Sequence, residues 1–184
     1  MGMTIAEKII AAAAGVNEVK PGDIHTVELD RLMSNDGTTH LTIDMYNKLK
    51  NPHIADVSKL VWIVDHNVPC DSVKTAASHK KMRDFAKEHG IKFYEGAGVC
   101  HQVMMENHVT SGELIFGADS HTCAYGAVGA FGTGGLLCFA EITEFVKELH
   151  SEMEKVVLMD ELPENWTYPL MQPKLIEKYL QVKL

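Results

Sequence analysis

Length, composition and charge place the chain among ordinary globular proteins and exclude several functional classes. The sequence has 184 residues, of which 46% are hydrophobic and 23% are charged, and its formal net charge is -8. These values argue against intrinsic disorder, and a negative charge without a basic block argues against nucleic-acid binding. No apolar run reaches the roughly 18 residues of a membrane span, and the first residues lack a signal-peptide pattern. The sequence therefore predicts a cytoplasmic protein without nucleic-acid or membrane partners.

The four cysteines, Cys70, Cys100, Cys123 and Cys138, agree with a reducing compartment. They are separated by 30, 23 and 15 positions and include no C-x-x-C pair. Such dispersed cysteines are not typical of a disulfide framework, and most free cysteines are small buried side chains.

The amino-terminal part of the chain predicts a helix, a strand and a second helix. Residues 4–7 form a capping-box pattern, and Gly15 is suited to end the helix that follows. Residues 24–30 alternate between apolar and polar side chains, which predicts a strand with one solvated face. The Asn-Asp-Gly turn at 35–37 precedes a short helix predicted to end near Leu49.

Short runs of β-forming residues alternate with helical stretches in the middle of the chain. The run at 59–64 is almost continuously apolar, as in a strand buried on both faces. Strands that alternate with helices indicate an α/β fold with a mostly parallel sheet and flanking helices. The predicted strands are 59–64, 91–94 and 112–117, and the predicted helices are 71–89 and one that begins within 99–105.

The character of the sequence changes after residue 131. Residues 132–135 read Gly-Thr-Gly-Gly and are interpreted as a flexible or anion-binding turn. An amphipathic helix is predicted over 138–156, followed by a connector with three prolines and a last short helix over 174–182. We therefore expect an α/β domain over 1–134 and a divergent helical appendage over 135–184.

Polar residues follow each predicted strand of the middle region. Asp65 and His66 follow the first strand, His101 follows the second after a glycine turn, and residues 119–121 follow the third. Ligands of open α/β sheets bind beyond the carboxyl ends of the strands, so these groups are candidates for one shared cleft. In the alternative interpretation the aspartates only cap the following helices, and the histidines pack and form hydrogen bonds nearby.

Several motifs resemble one family. Residues 117–131, GADSHTCAYGAVGAF, closely resemble the signature of the aconitase superfamily. TIAEKI at 4–9, VDH at 64–66 and GAGVCHQ at 96–102 match in the same order. The HTC and YGA elements resemble most the large subunit of 3-isopropylmalate dehydratase or homoaconitase. The resemblance covers about residues 3–134 and implies the amino-terminal α/β domain of such a subunit.

The resemblance implies catalytic roles for five residues. Members of the family dehydrate and rehydrate hydroxy-di- or tricarboxylic acids on a four-iron four-sulfur cluster. His66 resembles the histidine that protonates the departing hydroxyl, and Asp65 would fix its tautomer. Asp119, His121 and His101 resemble the residues around the iron-bound water.

The resemblance also implies substrate contacts. Ser120 resembles a substrate-binding hydroxyl in the same loop. Asn35 and Asp36 align with a position that reaches the substrate, where related enzymes carry Gln or His. Asn at this position leaves the identity of the substrate open.

The cysteines depart from the family pattern. The family holds its cluster with one separate cysteine and a C-x-x-C pair in a chain more than twice this length, and no cysteine here has that spacing. Iron–sulfur clusters need thiolates, so we assign no metal ligand in this chain and expect no cluster on the chain alone. The expected protein is a hydro-lyase large-subunit fragment of leucine biosynthesis, inactive alone. Its expected partners are a polycarboxylate substrate, a carboxyl-terminal portion, a small subunit and a second copy of the chain.

Two other functions fit the same residues. A degenerate, non-catalytic module would keep the carboxylate-binding loops without the chemistry. A mononuclear metal hydrolase would use His66, His101, Asp119 and His121 as nitrogen and oxygen ligands for zinc or iron.

Overall fold

A five-stranded, fully parallel sheet forms the centre of the protein, in a computed structural model that describes residues 2–48 and 52–134. The strand order is β3-β2-β1-β4-β5, so the chain runs outward from β1 first in one direction and then in the other. This arrangement confirms the predicted α/β class. The strands are β1 Arg31–Asn35, β2 Leu60–Val64, β3 Lys92–Glu95, β4 Leu114–Gly117 and β5 Phe131–Gly134.

The helices begin and end close to the predicted positions. The Thr4 side chain accepts a hydrogen bond from the Glu7 amide, the Glu7 side chain bonds back to Thr4, and Gly15 ends the helix in the left-handed conformation. Gly90 ends the longest helix in the same way. The helices are α1 Ile5–Ala14, α2 Thr39–Tyr46, α3 Val73–His89 and α4 Cys100–Asn107, with 3₁₀ helices at Val57–Lys59 and Ser120–Val128.

The strand prediction for residues 24–30 is wrong, and the strand lies in the next segment, at Arg31–Asn35. Residues 25, 27 and 29 are half-buried as the alternation predicts, but the segment forms no strand ladder. Strand β1 lies at the centre of the sheet, between β2 and β4. Its sequence shows no apolar run because its buried end carries Ser34 and Asn35, which are satisfied by side-chain and backbone hydrogen bonds.

The turn predicted at 132–135 is also wrong over its first three residues, because Gly132, Thr133 and Gly134 lie in the edge strand β5. This strand pairs in parallel with β4 along its whole length. A Cβ at Gly132 would lie 2.2 Å from the carbonyl oxygen of Thr122. Glycine at this position therefore allows the Ser120–Val128 helix to approach the strand closely, and it does not form an anion-binding turn.

Both faces of the sheet are covered. On one face Val61 and Ile63 pack in a buried cluster that includes Tyr125. On the other face Trp62 stacks on Phe85 of α3 with ring centroids 5.4 Å apart. Strand β2 is buried on both faces as its apolar run predicts. Among residues 2–48 and 52–134, no helix combines the length and apolar character of a bilayer span.

Several predictions lie outside the described residues. These are the helix over 138–156, the connector and the helix over 174–182. The division of the chain at residue 134 stays a prediction for the same reason. The second helix, by contrast, is described and ends at Tyr46, three residues before its predicted end near Leu49.

Candidate functional site

The candidate site lies at the carboxyl ends of the strands, near the point where the strand order changes direction. Strand β1 ends at Asn35, β2 ends just before Asp65, and β4 ends just before Asp119. The change of direction falls between β1 and β4, where open parallel sheets leave a crevice. The strands β2 and β4 are not neighbours, yet His66 and Asp119 meet across the end of β1 with Nε2 and Oδ2 3.5 Å apart.

Asp36 fixes the loop that carries His66. Its Oδ1 accepts hydrogen bonds from the backbone N–H groups of Asp65 and His66 at 3.0 and 2.9 Å. Its Oδ2 accepts from the backbone and side-chain N–H groups of Asn67, each at 2.9 Å. Burial alone would raise the pKa of Asp36, but these four donors outweigh it and hold that pKa well below its usual range. The carboxylate is therefore ionised and acts as a permanent acceptor for the loop.

His66 is oriented by carboxylates. Its Nδ1 lies 2.7 Å from Oδ1 of Asp65, and its ring is partly open to solvent. Burial lowers the pKa of His66, but the hydrogen bond that its ring donates to Asp65 and the charges of Asp65, Asp36 and Asp119 raise that pKa above its ordinary value. The charged imidazolium, a proton donor, is favoured at this position.

Asp65 also joins the loop to α4. Its second oxygen, Oδ2, accepts a hydrogen bond from the backbone N–H of Cys100 at 2.6 Å. The residue before α4, Val99, offers no side-chain cap of its own. Asp65 thus satisfies the first helical N–H of α4 from a distant part of the sequence, which fixes the helix that carries His101.

Asp119 contacts the rings of two further histidines, His101 and His121. Its Oδ1 lies 3.0 Å from Nε2 of His101 and 3.0 Å from Nδ1 of His121, and it accepts from the His121 backbone N–H at 2.7 Å. Burial opposes ionisation, but these hydrogen bonds and the charge of His101 lower the pKa of Asp119 to about 2. The His101 ring is held from its other side by the hydroxyl of Tyr125 at 3.1 Å. The His121 side chain is 81% exposed, so only its Nδ1 side is fixed.

The helix-cap alternative is correct in part. Asp119 does cap the Ser120–Val128 helix through the His121 amide, and the same oxygen binds His101. Asp65 does not cap α3, whose cap is Ser72. One carboxylate can therefore serve as a cap and as the centre of a histidine cluster.

The predicted substrate contacts lie in different surroundings. Ser120 is exposed and lines an open pocket with Asp119 and Cys123. The Asn35 side chain is buried, and its Oδ1 accepts from the Gly37 amide at 3.0 Å. The Asp36 carboxylate is fully buried behind the 65–67 loop. The substrate-binding roles of these residues stay predictions.

The sequence interpretation assigned no role to His79 or Tyr125, which support this site. His79 is buried on α3 and its Nε2 lies 3.2 Å from Oδ2 of Asp36. It occupies the same face of the helix as Met82 and Phe85. In the sequence, a histidine on this apolar helix face indicates a buried polar contact, but it does not identify Asp36 as the partner.

The described residues do not form the thiolate set of a four-iron cluster. Cys70 faces His79, Cys100 is buried, and Cys123 lies exposed on the 3₁₀ helix. Two groups with metal-ligand geometry occur in the described part of the chain, and neither contains three cysteines. They are Asp65, His66 and Cys100, and His101, Asp119 and His121.

Comparisons with known proteins agree with the motifs. The model of the aconitase family (aconitate hydratase) matches residues 7–154. The chain is 45% identical over 137 residues to the probable 3-isopropylmalate dehydratase large subunit of Methanothermobacter thermautotrophicus. It is 44% identical to the 3-isopropylmalate dehydratase large subunit of Aquifex aeolicus and 48% identical to large subunit 1 of Pyrococcus furiosus, again over 137 residues. These alignments cover 73%, 73% and 72% of the chain but 33%, 32% and 32% of the relatives, so the chain spans about a third of their length. On this similarity and the matching motifs, the chain belongs to the aconitase family.

Proposed function

We propose that the chain carries the proton-donating part of a hydro-lyase site of the 3-isopropylmalate dehydratase type. The reaction would remove and restore water on a hydroxy-di- or tricarboxylate, as a step of leucine biosynthesis. The observation that carries the proposal is the position of His66, held by Asp65 at 2.7 Å and exposed toward Asp119. The identity to dehydratase large subunits supports this reaction over other members of the family.

The raised pKa of His66 suits the most demanding step. Hydroxide is a poor leaving group, so the carbon–oxygen bond breaks readily only when a proton reaches the oxygen. The raised pKa of His66 favours the protonated ring as the donor, and Nε2 faces the crevice because Nδ1 is held by Asp65. Asp119 stays ionised, so it orients His101 and His121 instead of donating a proton.

The site needs positive charge from outside the described residues. The carboxylates of Asp36, Asp65 and Asp119 form ion pairs only with histidines in the described part of the chain. A substrate with two or three carboxylates needs lysine, arginine or metal partners to offset this negative field. We therefore propose that a further polypeptide portion, as present in the longer relatives, and a small subunit complete the site. That portion would also supply thiolates for the four-iron cluster.

Reconstitution tests this function directly. The chain is co-expressed with a segment corresponding to the remaining two thirds of a relative and with a small subunit. Hydration and dehydration are then measured on 3-isopropylmalate, homocitrate and citrate. We expect turnover of at least one substrate, and His66→Ala should lower kcat by about 10²- to 10⁴-fold as expected for loss of a positioned acid. The exposed His53→Ala serves as the control and should leave turnover unchanged.

Two results would contradict the proposal. Full activity of the His66→Ala assembly would remove His66 from the proton-transfer step. Binding of the carboxylates by calorimetry without turnover by any wild-type assembly would favour the non-catalytic binding module.

One observation supports a second candidate, the metal hydrolase. His101, Asp119 and His121 offer ligand atoms that all lie within 4.8 Å of one another. Nitrogen and oxygen donors of this kind suit zinc or iron. His66 is not part of this group, so the candidate ligand set is smaller than the sequence predicted. Tight binding of one Zn²⁺ per chain, lost in His101→Ala, together with metal-dependent hydrolysis would favour this alternative.

A further inference from the structure

A second line of hydrogen-bonded side chains runs behind the candidate site and ends at an exposed thiol. The Sγ of Cys70 lies 3.1 Å from Nδ1 of His79. The other ring nitrogen of His79, Nε2, lies 3.2 Å from Oδ2 of Asp36. Cys70 is exposed, whereas the side chains of His79 and Asp36 are 2% and 0% exposed. A cysteine, a histidine and an aspartate are thus connected from the surface to the interior.

The protons on this line can be placed by elimination. Asp36 is ionised, so its oxygens only accept hydrogen bonds. Nε2 of His79 must therefore carry the proton that it donates to Asp36. In the neutral imidazole this leaves the lone pair on Nδ1, which faces Cys70 and can accept the thiol proton.

A positively charged side chain also lies near Cys70. The guanidinium of Arg83, one helical turn after His79 on α3, is close enough for its charge to interact with Cys70. Arg83 is itself held by two hydrogen bonds to Glu95, at 2.9 and 2.8 Å. Glu95 offsets part of this positive charge, so His79 remains the direct partner of the Cys70 sulfur.

We propose that Cys70 is a nucleophilic thiol and a modification site for soft electrophiles, with His79 as its base and Asp36 as the group that orients the base. With a haloacetamide, the sulfur forms a bond to the methylene carbon, the carbon–halogen bond breaks, and halide leaves. With hydrogen peroxide, the sulfur forms a bond to one oxygen and the O–O bond breaks. The departing hydroxide takes the proton from His79 and leaves as water. The sulfur is oxidised to sulfenic acid and the peroxide is reduced.

Cys123 provides an internal comparison. It is also exposed, but its only described hydrogen-bond partner is the backbone oxygen of Ser120, at 3.6 Å. Exposed thiols without a base are largely protonated at neutral pH, and the thiolate is the reacting form. Cys70 should therefore react faster than Cys123 although both are accessible.

Competitive alkylation tests the proposal on the full, reduced 184-residue chain. Limiting iodoacetamide is added at pH 6.5, and labelling of each cysteine peptide, including that of Cys138, is followed by mass spectrometry. We expect Cys70 to react about tenfold faster than Cys123, because His79 can take up the Cys70 proton, whereas the partner described for Cys123 is a backbone oxygen. Dilute hydrogen peroxide with dimedone should trap sulfenic acid at Cys70 in preference to Cys123.

Variants on α3 assign the effect to the base. His79→Gln should reduce the Cys70 rate to that of Cys123, while His89→Gln, the same change on the same helix against Phe85, should not. Equal rates for Cys70 and Cys123 in the wild-type chain would overturn the proposal, as would a fast Cys70 in folded His79→Gln. If His79→Gln does not fold, the wild-type chain is alkylated at pH 6.5 and at pH 9 instead. The ratio of the Cys70 rate to the Cys123 rate should be smaller at pH 9, because thiols without a base ionise there. A ratio that is the same at both pH values would overturn the proposal.

Discussion

At the scale of single residues, Asp36 connects the parts of the site. Its buried carboxylate receives three backbone N–H groups of the 65–67 loop and the ring of His79. A buried charge is costly unless its hydrogen-bonding capacity is filled, and here several donors fill it. The loop that presents His66 is consequently fixed by one side chain that directly follows the central strand β1.

The pKa of His66 should depend on Asp65. In Asp65→Asn the amide oxygen can still accept a hydrogen bond, but the charge that raises the His66 pKa is lost. We expect the His66 pKa to fall, as measured by NMR titration of the histidine ring protons. His108 provides the control, because burial, Lys92 and Arg31 lower its pKa independently of Asp65. An unchanged His66 titration in a folded Asp65→Asn protein would contradict this origin of the shift.

Asp119 should make stability depend on pH in the acid range. Its pKa is lowered from 3.8 to about 2, so the folded state favours the carboxylate. The stabilisation is fully present above about pH 5, is lost as pH falls through 3.8 toward 2, and amounts to at most about 2 kcal/mol. Asp119→Asn should therefore be less stable than wild type by about this amount at pH 5, with the difference closing near pH 2.

Urea unfolding at pH 5, 4, 3 and 2, followed by circular dichroism, measures this dependence. The exposed Asp84→Asn is the matched control and should follow the wild-type curve. A wild-type-like acid dependence in Asp119→Asn would show that other carboxylates dominate.

At the scale of elements, glycines allow the Ser120–Val128 helix to lie directly on the edge of the sheet. A Cβ at Gly117 would lie 1.9 Å from Oγ1 of Thr122, and one at Gly134 would lie 2.8 Å from the carbonyl oxygen of Asp119. This close packing fixes the helix that begins at Asp119. The glycines in β4 and β5 therefore help to position the site.

Gly132→Ala should disrupt this packing. Its Cβ would meet the Thr122 carbonyl oxygen at 2.2 Å, and backbone cannot move aside as a flexible side chain can. We expect a loss of roughly 1–3 kcal/mol in the free energy of unfolding, as for other overpacked sites. Gly126→Ala is the control, because nothing lies within 4 Å of its Cβ position and its φ is not in the left-handed region. Equal stabilities of the two variants by urea unfolding would argue against close packing as the reason for glycine.

At the scale of the whole molecule, the site is rich in acid–base groups and poor in cluster ligands and cations. Three carboxylates and three histidines converge, while the cysteines of the described part are dispersed. The chain spans about a third of its relatives' length. The proposed division of the site between this chain and other polypeptide would explain both observations.

Cluster reconstitution should reveal that division. With iron and sulfide under anaerobic conditions, the chain alone should develop no broad visible absorption, because it lacks three thiolates at the family spacing. Adding the segment that corresponds to the rest of a relative should produce that absorption, and His66→Ala should leave it intact. A brown preparation of the chain alone would mean that its own cysteines bind iron.

The sequence predicts local structure and motif identity well where short-range rules dominate. The Thr4 cap, the glycines that end α1 and α3, and the apolar run of β2 are specified by neighbours in the chain. Prediction from the sequence fails for β1 and β5. In β1, Ser34 and Asn35 are buried because other residues satisfy their polar atoms. In β5, Gly132 is needed because Thr122 approaches it closely. Such positions depend on contacts that local patterns do not encode.

The sequence by itself determined the α/β class, the family motifs and the residue types that can hold and move protons. Only the tertiary structure decided which of them meet. It brings His66 to Asp119 across the end of β1 and joins the Cys100 N–H to Asp65 and the His101 ring to Asp119. It also connects Cys70 to Asp36 through His79. The physical reason is that parallel strands bring their carboxyl ends to one edge, whereas strand order and hydrogen-bond partners are set by long-range packing.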